Sequence, residues 1–150
     1  MDDDAKFEKS LEKIMGKMEY RDIRTNEHIR NAKKVLLDHI YGPYMCYNNN
    51  ATNRREAQAK LDTYEYVNNF DSLNKYDLLM MIDADQFFDI KCHFQGKYFR
   101  YNESRKTLGM RLNNRNISID FGPNRFFFRK LNKKDILKIL LVESIDEIKN

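Results

Sequence analysis

Glycine is scarce in this chain, with five residues in 150, and that scarcity excludes a class of chemistry. Phosphate-cradling loops need glycine for positive φ and close backbone approach, and neither a P-loop nor a Rossmann glycine pattern is present. There is no H-E-x-x-H helix and no nucleophile elbow. Two cysteines, Cys46 and Cys92, make neither a metal spacing nor a disulfide framework, so free thiols are expected. His28, His39 and His93 have no partner at metal-ligand spacing. No cofactor and no resident metal is expected. Tryptophan is absent and proline occurs twice. The longest apolar run, Leu78 to Ile82, is far too short to span a bilayer. The start Met1-Asp2-Asp3-Asp4 is the reverse of a signal peptide's positive opening, so a cytoplasmic location is expected. The sequons at Asn50, Asn102 and Asn116 are then expected to stay unmodified.

What is present suits one globular domain. Hydrophobic residues make up 41% and charged residues 33%, a balance that can bury a core. The net charge is +4 and the pI about 9.0, which makes the protein mildly basic. The charge is uneven: acids gather at Asp2–Asp4 and Asp83–Asp89, and bases from Arg100 to Lys134. Abundant Asn and Lys follow the codon usage of an AT-rich genome. A viral or phage origin, and hence a host cytoplasm, is the corresponding expectation.

Periodicity predicts an α+β fold in a single domain, residues 1–150. A helical part over 1–85 holds about four helices. The first, over 4–18, carries Phe7, Leu11, Ile14, Met15 and Met18. The second, from Thr25 or Asn26 to Gly42, buries Ile29, Ala32, Val35, Leu36 and Ile40. The third begins at Asn53 after an Asn-rich loop and runs through Leu61, Tyr64 and Val67. The fourth is short, with Tyr76, Leu79, Met80 and Ile82. Over 86–131 the period changes to two, giving a four- to five-stranded antiparallel meander. A turn at Gln95-Gly96 sets Lys91 against Arg100 and His93 against Tyr98. A turn at Asn114-Arg115 sets Leu112 against Ile117. A turn at Gly122–Arg125 sets Phe121 against Phe126 and Ile119 against Phe128. Asn132 caps a closing helix over 132–150.

This register gives the sheet one aromatic, apolar face and one polar face. The polar face collects Lys91, His93, Tyr98, Arg100, Arg111, Phe127 and Arg129, with Arg115 and Arg125 at neighbouring turns. Arg105 and Lys106 add to the same basic region. Lys91 facing Arg100 is a like-charge pair that costs roughly 0.2–1 kcal/mol unless an anion lies between them. Phe127 beside Arg129 and Arg111 is placed to stack a base.

The expected function is binding of nucleic acid, or of a nucleic-acid-handling protein, through this basic and aromatic face. The alternative is an inhibitor that occupies a host protein without touching nucleic acid. A third reading is a metal-dependent nuclease. Asp89-Ile90-Lys91 resembles the D-x-K portion of a metal nuclease strand, in which a carboxylate holds Mg²⁺ and a lysine orients water. Asp83, Asp85 or Asp120 would supply the second carboxylate. The lack of other catalytic motifs favours binding over catalysis. Oligomeric state is left open by the sequence.

Overall fold

The structure, a computed structural model, describes residues 27–138 and residue 141. The helix expected over 4–18 lies outside the described residues. The fold is α+β, as the periodicity predicts, but its sheet is larger and wound differently. Helices α1 (Glu27–Tyr41) and α2 (Asn48–Lys60) precede strands β1 (Tyr64–Tyr66), β2 (Leu78–Asp83), β3 (Cys92–Asn102), β4 (Thr107–Leu112), β5 (Arg115–Asp120) and β6 (Arg125–Lys130). A further helix, α3, covers residues 133–138. Among the described residues no helix is long and apolar enough to cross a membrane.

The buried stripe of α1 runs through Lys33, Leu37, Ile40 and Tyr41, whereas Val35 is 69% exposed. Hydrophobicity misplaces the stripe because a lysine belongs to it. The Lys33 ammonium donates to the carbonyl oxygens of Leu61 at 2.7 Å and Asp62 at 3.0 Å. Both carbonyls lie just past the end of α2, so this lysine ties α1 to that end of the helix. Burial lowers the pKa of Lys33, with Asp62 opposing the shift.

Helix α2 starts earlier than expected, inside the Asn-rich segment, and its buried side includes Asn50, Asn53 and Ala57. Asn50 is fully buried. Its amide donates to the carbonyls of Tyr44 and Phe87, each at 2.8 Å, and its oxygen accepts from Ile90 N–H at 2.9 Å. Polar residues thus do the packing that an apolar stripe would signal. The helix stops at Lys60, so Tyr64 and Val67 are not its continuation; Tyr64 opens β1.

The fourth expected helix is strand β2, with β6 and β3 as its neighbours. Leu-Leu-Met-Met-Ile is too short to distinguish helix from buried strand by periodicity. Both of its faces are buried, Met80 and Ile82 packing toward the helices and Leu79 and Met81 on the opposite side. Two of the six strands therefore come from the part expected to be helical.

The strand order is β1-β6-β2-β3-β4-β5, all neighbours antiparallel. Strands β2 to β5 form a meander, but β6 crosses back to lie between β1 and β2. The turn at Gly122–Arg125 does form, with Arg125 N–H on the Gly122 carbonyl. The pairing expected across it does not: Phe128 faces Met80, and Phe126 faces Ile82. Three consecutive phenylalanines suit a strand covered on both faces, the fully buried Phe127 and Phe128 each contributing about 2–3 kcal/mol.

Gln95-Gly96 is not a turn. Strand β3 runs straight through it with a register shift, Leu79 facing Gly96 and Met80 facing Phe94. Gly96 has φ 108°, and a Cβ there would lie 2.4 Å from the Arg111 carbonyl oxygen. Glycine is required, but for a bulge. A second shift follows: Tyr98 faces Met110 and Arg100 faces Gly109, leaving Phe99 as the extra residue. Each bulge moves the following residues to the other face. Because β3 continues through Gly96, His93, Tyr98 and Arg100 lie on one strand that Lys91 just precedes, so Lys91 does not face Arg100, nor His93 Tyr98. The β4–β5 turn falls at Asn113 and Asn114, both at positive φ. Leu112 faces Arg115, and Met110 faces Ile117. This is two residues from the expected register, which preserves the faces.

Two cores result. One joins Leu37, Ile40 and Tyr41 of α1 and Ala57 and Leu61 at α2 to Ile82, Cys92 and Phe128 of the sheet. The other lies on the opposite face among Leu79, Tyr98, Leu108, Met110 and Phe127, under Val67 and Leu73. The Phe70 ring touches both Phe127 of β6, at 5.5 Å, and Phe121 just after β5, at 4.7 Å. A flat sheet would hold β6 and β5 about 19 Å apart. The sheet therefore curls around the second core.

Asn132 starts α3 as expected. Its Oδ1 accepts from Asp135 N–H at 2.8 Å and Asp135 Oδ2 accepts from Asn132 N–H at 3.1 Å, a reciprocal cap.

Candidate functional site

The helices cover only part of their side of the sheet. Beyond the second bulge, β3, β4 and β5 present an outer face that no helix covers among the described residues. Register puts Arg100 and Asn102 of β3, Gly109 and Arg111 of β4, and Asn116 and Ser118 of β5 on this face. Their partners on the inner face are Tyr98, Leu108, Met110, Ile117 and Ile119. The inner face anchors the strands, and the outer one carries their polar side chains.

The outer face holds a depression of about 1120 Å³. A second depression of about 340 Å³ adjoins it, sharing Phe99 and Arg111. Five cations line the two: Lys75, Lys97, Arg100, Arg105 and Arg111, with Glu103 as the acid among the lining residues. All five cations belong to exposed residues. None forms an ion pair among the described residues. Other arginines differ: Arg54 meets Asp38 at 2.5 Å, Arg125 meets Asp83 at 3.4 Å, and Arg129 meets both Glu65 and Asp135.

Gly109 forms part of the floor. A Cβ there would lie 3.3 Å from Arg100 Cγ, so the missing side chain lets Arg100 lie across β4. Glycine inside a strand often marks such a close approach.

Tyr76 and Phe99 stand beside these cations. Their ring centroids are 5.4 Å apart in an edge-to-face arrangement, and the Lys75 ammonium is 5.4 Å from each centroid. Tyr76 is 58% exposed. Its φ is +75°, unusual for a bulky residue. Two backbone bonds hold it there, from Tyr76 N–H to the Tyr98 carbonyl at 2.7 Å and from Tyr98 N–H to the Asp77 carbonyl at 2.8 Å. At the other end, the Tyr101 hydroxyl donates to Asp71, a bond that pushes the Tyr101 pKa up to about 12.

Of the residues expected to form the site, Arg100 and Arg111 meet here, together with Arg105. The others lie elsewhere. Lys91 precedes β3 and pairs with Asp89 at 3.7 Å. His93 is exposed opposite Met81. Arg115 shares the inner-face alignment of Ile117. Tyr98 and Phe127 are buried in the second core, Phe127 at 1% exposure. Arg129 is held by Glu65 across β1 and by Asp135 of α3. Burial opposes its charge, but those carboxylates outweigh it and raise its pKa. The sequence reading missed Lys75, Tyr76, Lys97, Phe99 and Gly109; an isolated strand glycine flanked by cations was the available signal.

Three of the four carboxylates in the nuclease reading have side-chain partners. Asp89 accepts from the Asn53 amide at 2.7 Å and pairs with Lys91. Asp83 is paired with Arg125, and Asp85 accepts from Asn124. Asp120 is exposed at the end of β5. Among the described residues no three His, Cys, Asp or Glu side chains converge to hold a metal.

A second exposed cluster, separate from the depression, joins Tyr44, Tyr47, Phe87 and Phe88, with Phe87 at the centre of ring contacts of 5.6–5.8 Å. Comparison with protein-family models, curated proteins and solved structures finds no match to this chain.

Proposed function

We propose that the protein binds nucleic acid through the outer face of β3, β4 and β5. The observation that carries this reading is the set of five exposed cations lining two adjoining depressions, none in an ion pair among the described residues, against a single lining acid. Keeping like charges together is unfavourable unless a polyanion joins them, and phosphates released from their counterions supply that energy. The depression has the donors for a sugar–phosphate backbone: guanidinium groups from Arg100, Arg105 and Arg111, and the small polar side chains of Asn116 and Ser118.

Mapping amide chemical-shift changes on addition of a mixed-sequence oligonucleotide at low salt tests the proposal. Changes should concentrate in residues 97–118 and at Lys75–Tyr76. Changes confined to α1, α2 or the Phe87 cluster would remove it. Equal displacement by a polyglutamate peptide would favour an acidic protein partner instead.

A further inference from the structure

We infer that the ligand of this face is single-stranded, with one base stacked on the Tyr76–Phe99 ring pair while its phosphates run along Arg100 and Arg111. The inference rests on the proposed nucleic-acid reading and narrows its substrate class.

Three observations support it. First, the rings border the cations, since Phe99 lines both depressions and Tyr76 lines the smaller. A duplex keeps its bases inside, so an aromatic surface beside a phosphate track gains nothing from it. An unpaired strand offers a π-face with each nucleotide. Second, Tyr76 is held out of the core at a cost. A tyrosine at φ +75° is strained, and such strain persists only when the surroundings enforce it. The enforcing bonds come from Tyr98, whose own ring is buried in the second core. The platform is thus fixed to the rigid part of the sheet. Third, Phe99 is the extra residue of the β3 bulge. The same irregularity that turns Tyr98 inward and Arg100 outward presents Phe99 to Tyr76. One bulge therefore builds both the phosphate and the base elements of the site.

Lys75 completes the arrangement. Its ammonium lies 5.4 Å from both ring centroids, where it can meet a phosphate next to a stacked base.

The test compares a single-stranded oligonucleotide of about 12 nucleotides with the duplex of the same sequence, by fluorescence anisotropy at one low salt concentration. The wild-type protein should bind the single strand more tightly. Tyr76→Ala should weaken that binding about ten- to hundredfold, the scale of one lost stack, and leave duplex binding unchanged. Tyr76→Phe, which keeps the ring, should bind like wild type and guards against a folding defect. Arg100→Ala should weaken both forms. Duplex binding as tight as single-strand binding would overturn the inference. So would wild-type affinity in Tyr76→Ala alongside a loss in Arg100→Ala, and that result would leave the nucleic-acid reading standing. Failure of either form to bind the wild-type protein would overturn both.

Discussion

Arg100 lies across Gly109: the position of a Cβ on the glycine is 3.3 Å from Arg100 Cγ. One strand's missing side chain gives the next strand's guanidinium its bed. Without that absence the depression would be partly filled.

Gly109→Val should therefore weaken oligonucleotide binding about tenfold, comparable to one lost contact. The tight contact is with the Arg100 side chain, and the Arg100 carbonyl oxygen at 3.5 Å is at ordinary contact distance, so stability should change by less than about 1 kcal/mol. Anisotropy titration and thermal melting of the same sample check both.

Phe127 and Arg129 should behave in the opposite way. Phe127→Ala empties part of the second core and should cost about 3–5 kcal/mol. Arg129→Ala leaves Glu65 and Asp135 without their shared cation and should cost about 2 kcal/mol. Denaturant unfolding measures the losses. At temperatures where the variants stay folded, their oligonucleotide affinity should match the wild type.

Gly96→Ala should be more damaging than an ordinary surface glycine change. Its φ of 108° is left-handed, and the new Cβ would meet the Arg111 carbonyl oxygen at 2.4 Å. A loss of about 2 kcal/mol is expected from backbone strain. Because that carbonyl belongs to a site residue, binding should weaken as well.

The two thiols should separate by accessibility. Cys46 is exposed and Cys92 buried. Burial pushes the Cys92 thiol up to about 11, with Lys60 opposing the shift. A thiol reagent at pH 8 should modify Cys46 alone until the protein unfolds. Because the folded pKa lies above the unfolded one, the linked stability is complete below about pH 9 and is lost as pH rises through about 11. Urea midpoints across that window, in wild type and Cys92→Ala, check the sign.

The sequence discloses local features better than the way they connect. The closing cap at Asn132 and Asp135, the turn at Gly122–Arg125 and the faces of β4 and β5 follow from residue type and period. Strand β2 was hidden because Leu78–Ile82 is buried on both faces and so shows no alternation. Helix α2 was mistimed because its buried face uses Asn50 and Asn53. The site was half legible. Arg100, Arg105 and Arg111 stand out by charge, but two bulges in β3 decide which residues accompany them. A single extra residue, Phe99, exchanges Tyr98 for Arg100 on the outer face. Composition carries no trace of such a shift, and Gly96 signals a positive φ without saying whether it serves a turn or a bulge. Phe127 was placed correctly opposite Phe126 and Phe128; what covers it is Phe70, brought there by the curl of the sheet.

The central claim is that five exposed cations, none in an ion pair among the described residues, meet phosphates, and salt dependence measures it most directly. Affinity for a single-stranded oligonucleotide, titrated from low to moderate salt, should fall with a log–log slope of about −3 to −4 if all five engage. Arg100→Ala and Arg111→Ala should each reduce the magnitude of that slope by about 0.7, whereas Arg54→Ala, remote on α2, should not. Absence of binding at the lowest salt, or identical slopes in the wild type and both groove variants, would contradict the account.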